Sequence, residues 1–114
     1  MKTIRNLFFY DNRTRDFIKQ QSVPMRNKIG YVLDLLCYEQ YIPKNFFKHI
    51  EGTQGLYEIR VEAESNIIRI FCCFDEGQLI VLFNGFQKKS RKTPAREIQK
   101  ALSLMKEYFE SKNL

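Results

Sequence analysis

The sequence predicts an α+β fold, in which an antiparallel sheet of about four strands packs on two N-terminal helices and a C-terminal helix. Apolar residues recur at helical spacing after Pro24 and again after Pro94. Between residues 56 and 86 they alternate at strand spacing instead, interrupted by turn residues. With 114 residues and no internal repeat or linker, the chain is expected to form a single domain over residues 1–114.

The first half of the chain predicts one strand and two helices. Residues 4–10 are strand-like, and residues 13–21 predict a helix that the preceding Asp-Asn pair can cap. A longer helix is predicted to open at Pro24 and to be ended by Pro43. Residues 44–55 are predicted to form a loop or short turn. The side chains at helical spacing on the inward face of the longer helix are Met25, Ile29, Val32, Leu33 and Leu36.

Thr93 and Pro94 predict the start of the last helix. A threonine side chain can cap free backbone N–H groups, and proline fits the first helical position. The helix is expected to run to about Ser111. Its predicted inward stripe consists of Ile98, Ala101, Leu102, Met105 and Phe109.

Two turns set the predicted register of the sheet. A two-residue turn at residues 64 and 65 places Arg60 directly opposite Arg69. A second turn at residues 76 and 77 places Arg69 opposite Asn84. The two arginines and the asparagine would then form one row across the sheet.

That register divides the meander into two faces. The predicted core face carries Tyr57, Ile59, Val61, Ile68, Ile70, Cys72, Phe74, Leu79, Val81 and Phe83. The opposite face carries Glu58, Arg60, Glu62, Ile67, Arg69, Phe71, Cys73, Leu82, Asn84 and Phe86. Two arginines directly opposite each other repel. One interpretation is that the two glutamates neutralise them as a solvated ladder. The favoured interpretation is a groove for an anion, because Phe86 and a basic loop extend the same edge.

Positive charge is concentrated at the two ends of the chain. The formal net charge is +6, with +5 over residues 1–50, −4 over residues 51–87 and +5 over residues 88–114. The loop between the last strand and the last helix carries Lys88, Lys89, Arg91 and Lys92, and the helix adds Arg96. Such a loop is a plausible phosphate site, which favours a polyanionic partner. The alternative is that a moderately basic surface serves only solubility.

Several classes of protein are not indicated. Cys37, Cys72 and Cys73 lack metal-ligand spacing and are expected to be reduced thiols, so neither a metal nor another cofactor is predicted. The apolar run near the N-terminus is too short for a signal peptide, and no stretch reaches the length of a membrane span. A cytoplasmic location without membrane association is therefore expected.

Two segments resemble one known family. GLYEIRV at residues 55–61 and NIIRIFCCFDEGQLIVLFNGFQKKSRKTPAREIQKAL at residues 66–102 resemble the RelE/ParE toxin superfamily, and within it the HigB-like, phage-derived branch. The resemblance implies a RelE-like fold and a type II toxin that cuts messenger RNA on the ribosome, without a metal. It also implies a cognate helix-turn-helix antitoxin, HigA-like, through which alone the toxin would meet DNA.

The resemblance also implies a site. By the resemblance, Arg60 and Arg69 match the arginines that stabilise the phosphate, and Phe86 matches a platform on which a base stacks. His49 is either a general base or a histidine without a role in the reaction. The predicted catalytic residues are Arg60, Arg69, Lys89 and His49. The predicted RNA-binding residues are Lys48, Asn84, Phe86, Lys88, Arg91 and Lys92. RelE enzymes carry a tyrosine after the last strand arginine. This chain has no tyrosine between Tyr57 and Tyr108, so the identity of the general base stays open.

Two other functions fit the same fold class. A ParE-like toxin would inhibit gyrase and would not need an ordered cationic site, and a non-catalytic RNA-binding module would suit the same basic face. The row of arginines favours the nuclease. We expect Arg69→Ala to abolish toxicity and to leave the fold intact, since Arg69 is predicted to lie outside the core.

Overall fold

A five-stranded sheet with helices on both faces forms the core of the protein. The structure is a computed structural model that describes residues 2–88 and 93–113. In chain order the elements are β1 (Asn6–Phe9), α1 (Arg13–Lys19), α2 (Val23–Tyr38), β2 (Phe47–His49), β3 (Leu56–Ala63), β4 (Asn66–Phe74), β5 (Leu79–Lys88) and α3 (Ala95–Ser111). The strand order is β1-β5-β4-β3-β2, with β1 parallel to β5 and the other neighbours antiparallel.

The predicted α+β architecture is confirmed, with one strand more than expected. The additional strand, β2, lies within residues 44–55, where a loop was predicted, and pairs with β3 at the edge of the sheet. Helices α1 and α2 cover one face, and α3 covers part of the other. Over residues 2–88 and 93–113, every helix is too short or too polar to span a bilayer.

The bounds of α2 depend on side-chain capping at both ends. Ser22 precedes the helix, and its hydroxyl accepts the N–H of Met25 at 3.3 Å. The helix ends at Tyr38, before the predicted stop at Pro43. The guanidinium of Arg5 satisfies the carbonyls there, because it donates to the backbone oxygens of Leu36, Glu39 and Gln40.

The other two helices begin and end differently from the predictions. Helix α1 stops at Lys19, and its cap residue Asn12 makes no side-chain cap bond. Asp11 accepts the N–H of Arg13 instead, at 2.8 Å. Helix α3 starts after Pro94, which occupies the cap position itself, so a threonine cap is not formed.

The predicted register is confirmed for β3 and β4. Arg60 lies opposite Arg69. The turn residues Glu64 and Ser65 have φ angles of 51° and 65°, as a two-residue type I′ hairpin turn requires. This turn joins two right-twisted strands without a bulge, so the simple register holds along the whole hairpin.

The predicted register is wrong for β4 and β5. Arg69 lies opposite Phe86, and Asn84 lies opposite Phe71. One cause is the hairpin loop, which has three residues, because the N–H of Asp75 bonds the carbonyl of Leu79 at 2.8 Å. The other cause is a bulge next to Phe71, where the pairing shifts by one residue.

The three-residue loop also changes which side chains of Leu79–Phe83 face which helices. Leu79, Val81 and Phe83, predicted on the core face with the β3 residues, pack on the α3 side. Ile80 and Leu82 pack on the side of α1 and α2, so the predicted face of Leu82 is also wrong. The bulge, in which Phe83 is the extra residue, then returns the side chains after it to the predicted faces. The predicted face of Asn84 and Phe86 is therefore correct.

Two contacts hold the helices on the sheet at fixed distances. A Cβ atom added at Gly85 would lie 2.5 Å from the ring of Phe17, so α1 packs directly on the backbone of β5. On the other face, the carboxylate of Asp75 accepts hydrogen bonds from Lys112 at 2.6 Å and from the hydroxyl of Tyr108. These two bonds hold the pKa of Asp75 below its ordinary value, and they anchor the β4–β5 turn to α3.

Candidate functional site

A cluster of charged side chains lies on the α3 face of the sheet, beyond the part that α3 covers. Lys48 on β2 is directly opposite Glu58 on β3, and Arg60 on β3 is directly opposite Arg69 on β4. Directly opposite residues project on the same side of a sheet. The strands therefore bring these four charges to one surface.

A buried ion pair forms the centre of the cluster. Arg69 Nη1 lies 2.5 Å from Glu58 Oε2, and the two residues are 6% and 3% exposed. Lys48 Nζ lies 3.6 Å from the other oxygen of the same carboxylate, and its side chain is 58% exposed. The buried Nε of Arg69 has no hydrogen-bond partner. Glu58 is thus a counterion for two cations.

Arg60 has its own acidic partner. Its Nη2 lies 3.1 Å from Glu62 Oε1, and the two side chains are 32% and 53% exposed. The neutralising ladder that the sequence left open is therefore present. Only its Arg60 half is solvated, however, because the pair of Arg69 and Glu58 is buried. A solvated pair of this kind contributes about 0–1 kcal/mol, so Arg60 can exchange partners at low cost.

A cleft of about 160 Å³ opens beside these ion pairs. Its described lining consists of Lys44, Asn45, Phe47, Lys48, Glu58, Arg60 and Arg69. Four cations against one carboxylate give this lining a net charge of +3. Glu62, which pairs with Arg60 from outside this lining, reduces the local charge to +2, and the remaining excess of positive charge favours an anion.

The ammonium group of Lys88 is sensitive to the same excess of positive charge. Its pKa is lowered, first by desolvation and then by the charges of Arg69, Arg60 and Lys48, while Glu58 opposes the shift. An entering phosphate would relieve this repulsion. A lysine with a lowered pKa also gives up its proton more readily, as a proton-transfer group must.

His49 is not brought to the arginine cluster. It lies opposite Tyr57, which packs on the side of α1 and α2, so the imidazole projects from the other face of the sheet. The two rings meet edge to face at 5.3 Å, and His49 Nε2 lies 2.9 Å from the carbonyl oxygen of Thr53. His49 nevertheless shares an open cleft with Lys48 and Glu58 of the cluster. Thr93 and Ile98 line the α3 side of that cleft.

The other predicted RNA-binding residues differ in accessibility. Asn84 is 1% exposed and both its side-chain polar atoms lack hydrogen-bond partners, so its amide does not reach the surface in this conformation. Phe86 is half-buried, and its ring stacks on Phe71 with centroids 5.3 Å apart and planes inclined by 28°. The predictions for Lys89, Arg91 and Lys92 fall outside the residues that the structure describes.

Sequence reasoning missed two members of the cluster. Glu58 was considered only as a solvated counterion, but it is buried between two strands and holds Arg69 in place. Lys44 lies in a predicted loop and became part of the cleft only because the unpredicted strand β2 follows it. Glu58 lies two residues before Arg60 in the segment GLYEIRV, so the two side chains project from the same face of the strand. That spacing is the signal that could have identified Glu58 as a member of the cluster.

Residues 16–106 match the model of a family described as phage-derived protein Gp49-like (DUF891). The chain belongs to this family, which is a RelE/HigB-type toxin family. A comparison with curated proteins found no match. Among solved structures, RelE in the archaeal RelE–RelB complex from Pyrococcus horikoshii OT3 is similar, with a TM-score of 0.53 and 13% identity. The alignment covers 78% of this chain and 99% of that chain. The predicted resemblance and the RelE-like fold are confirmed.

Proposed function

We propose that this Gp49-like protein is the toxin of a type II toxin–antitoxin pair and cleaves messenger RNA on the ribosome without a metal ion. One observation carries the proposal, namely the cleft of net charge +3 around Arg60 and Arg69. Family membership and the RelE-like fold support the toxin, and the cleft supports a reaction at a phosphate.

The proposed reaction is transesterification at the RNA backbone. The ribose 2′-oxygen attacks the neighbouring phosphorus, the bond from phosphorus to the 5′-oxygen breaks, and a 2′,3′-cyclic phosphate forms. The 2′-hydroxyl loses a proton, and the departing 5′-oxygen gains one. Negative charge builds up on the phosphoryl oxygens, so fixed cations around them lower the barrier.

The cations in the cleft and next to it would have different roles in the reaction. Arg60 is partly exposed and only loosely paired, so it is the arginine that can bind the phosphate directly. Arg69 stays with Glu58 and acts as a fixed positive charge behind it. Lys88, with its lowered pKa, suits the delivery of a proton to the 5′-oxygen, and Lys89 is a further predicted participant.

The described lining of the cleft offers no free carboxylate as a base. Its one carboxylate belongs to Glu58, and two cations already bind it. His49, the predicted base, projects from the other face. We infer that the toxin alone cuts slowly and that the ribosome supplies the orientation of the 2′-hydroxyl, which can contribute several kcal/mol.

The partner of this proposal is an antitoxin with a helix-turn-helix domain. The similar solved structure is a RelE–RelB complex, which supports a protein antitoxin for this chain too. The toxin would act in the cytoplasm on translated messenger RNA, and contact with DNA would be made by the antitoxin.

The test compares cleavage of one messenger, free and in a programmed ribosome, with a chelator present. We expect much faster cleavage on the ribosome than of the free messenger. Arg60→Ala should lose about 100-fold on the ribosome, the size expected when one transition-state charge partner is removed. Arg26→Ala, which removes an exposed arginine from α2, is the matched control. Equal rates in both settings, or loss of activity with chelator, would refute the mechanism.

Two further measurements, of gyrase trapped on DNA and of RNA binding, separate the alternative functions. Gyrase trapped on DNA without transcript cleavage would assign a ParE-like activity to the fold. Binding of RNA that depends on Arg60 but never leads to cleavage would assign a non-catalytic module.

A further inference from the structure

The outer side of α2 carries an exposed stripe that the described chain contacts only at one edge, where Phe46 meets the Tyr31 ring. The helix buries four apolar side chains against the sheet, and its outward positions are Val23, Asn27, Gly30, Tyr31, Asp34 and Tyr38, here called the α2 outer face. Val23, Tyr31 and Tyr38 are 57%, 53% and 40% exposed. Residues 27, 31, 34 and 38 follow the spacing with which one helix packs on another.

A shallow cleft on this face combines aromatic and acidic groups. It has a volume of about 350 Å³ and is lined by Tyr31, Asp34, Leu35, Tyr38 and Glu39. Two carboxylates and two phenol rings surround an aliphatic side chain. No lysine or arginine of the described chain belongs to this lining, although Lys28 Nζ lies 5.4 Å from the centroid of the Tyr31 ring at its edge. The lining of this cleft is therefore negatively charged, whereas the whole protein has a net charge of +6. The groups fit a long basic side chain, whose stem contacts the rings and whose charge pairs with the carboxylates.

Gly30 has no explanation within the chain. It lies inside α2, where glycine is a poor helix former, and a Cβ atom added there would meet nothing within 4 Å. An exposed helix position without a side chain lets another backbone approach closely. Gly30 is one turn before Asp34, so the close approach and the acidic cleft belong to one surface.

We propose that the α2 outer face binds a basic amphipathic helix of the antitoxin, with an arginine or lysine in the cleft between Tyr31 and Tyr38. The inference rests on the proposed function. RNA is disfavoured there, because Asp34 and Glu39 would repel its phosphates. A second copy of this chain is also disfavoured, because a two-fold interface would bring like charges of the acidic cleft together.

This docking site is on the opposite side of the sheet from the cationic cleft. Helix α2 packs with α1 on one face, whereas Arg60 and Arg69 lie on the face of α3. A helix bound to α2 therefore leaves the cleft open. It would hold the antitoxin on the toxin, and the bulk of the antitoxin would exclude the ribosome.

The test measures binding of the helix-turn-helix protein encoded beside the toxin gene. We expect Asp34→Lys to raise its Kd by at least 30-fold and Tyr38→Ala by about 10-fold, since both groups contact the same basic side chain. Glu110→Lys makes the same charge change on α3 and should stay within twofold of wild type. Asp34→Lys should remain as toxic as wild type when expressed alone, but the antitoxin should no longer rescue growth.

Each other outcome overturns the inference. Unchanged affinity for a folded Asp34→Lys protein would show that the antitoxin binds elsewhere, and the proposed function would stand. Equal losses for Asp34→Lys and Glu110→Lys would reveal a general charge effect. A wild-type dimer that Asp34→Lys converts to a monomer would assign the face to a second copy. If the neighbouring protein neither binds nor neutralises the wild-type toxin, the antitoxin assignment fails as well.

Discussion

The ion pair between Arg69 and Glu58 predicts a large loss of stability when either partner is removed. Arg69→Ala would leave the Glu58 carboxylate, 3% exposed, with Lys48 as its remaining partner at 3.6 Å. A buried charge without a close counterion is costly. The sequence led us to expect that this substitution would spare the fold, and the burial of the pair contradicts that expectation.

The size of the effect follows from the burial of the two groups. Breaking a buried ion pair from one side typically costs about 3–5 kcal/mol. Because Lys48 stays within reach of Glu58, we expect the lower end, about 3 kcal/mol. A single domain has about 5–15 kcal/mol in total, so the variant would lose between about a fifth and three fifths of its stability. With about 4 °C per kcal/mol for a domain near this size, the melting temperature should fall by about 12 °C.

A double-mutant cycle in urea, made of Arg69→Met and Glu58→Leu singly and together, separates the pair from its surroundings. The double variant Arg69→Met with Glu58→Leu should recover most of the stability, since replacing both charges by apolar groups of similar volume is often neutral. Arg60→Ala is the control, because its partner Glu62 is exposed, and it should cost less than about 1 kcal/mol. A loss below about 1 kcal/mol for Arg69→Ala, or equal losses for the single and double variants, would refute this account.

Three further substitutions test other parts of the structure. Gly85→Ala should destabilise by about 1–3 kcal/mol, measured by urea denaturation, because its methyl group would overlap the ring of Phe17. Gly30→Ala should stabilise the free protein by about 0.4–1 kcal/mol in the same assay, since nothing opposes the new side chain. Folding lowers the pKa of Asp75, so the ionised carboxylate stabilises the folded protein. This stabilisation is complete above the pKa that Asp75 has in the unfolded chain, and it is lost as the pH falls through the pKa that Asp75 has in the folded protein. Asp75→Asn should therefore flatten the fall in melting temperature below about pH 4; an unchanged acid profile would contradict this.

Local sequence signals were sufficient for the parts of the fold in which one interaction dominates. The inward residues of α2 follow a single helical period, and all five predicted positions are buried or half-buried. The hairpin of β3 and β4 has a two-residue turn, and its register places Arg60 opposite Arg69 as predicted. The row of charges could be anticipated because it depends only on that turn.

The errors have a common physical origin in burial on both faces. The run Leu79–Phe83 is apolar throughout because α1 and α3 cover opposite sides of β5, so no alternation indicates which residues face which helix. A bulge in such a strand leaves no trace in the pattern of apolar residues.

Two other features were missed for different reasons. Strand β2 is only three residues long, so it gives no periodic signal. The burial of Glu58 depends on neighbouring strands and could not be derived from its own segment.

The two arginines that the resemblance treats as equivalent have different physical roles in this chain. Arg69 is fixed by a buried carboxylate, so it cannot follow a phosphate that moves during the reaction. Arg60 and Lys48 have side chains that are 32% and 58% exposed and can reorient without breaking a buried contact. Glu58 is needed to stabilise Arg69 in the fold, yet Glu58 and Glu62 together cancel only two of the four positive charges in the described lining of the cleft. Burial lowers the pKa of Lys88, and the remaining positive charge, chiefly that of Arg69, lowers it further, so the fold retains a repulsion that a bound phosphate would relieve. A site that serves only stability would not be expected to keep such repulsion, and this is the strongest physical argument that the cleft binds an anion.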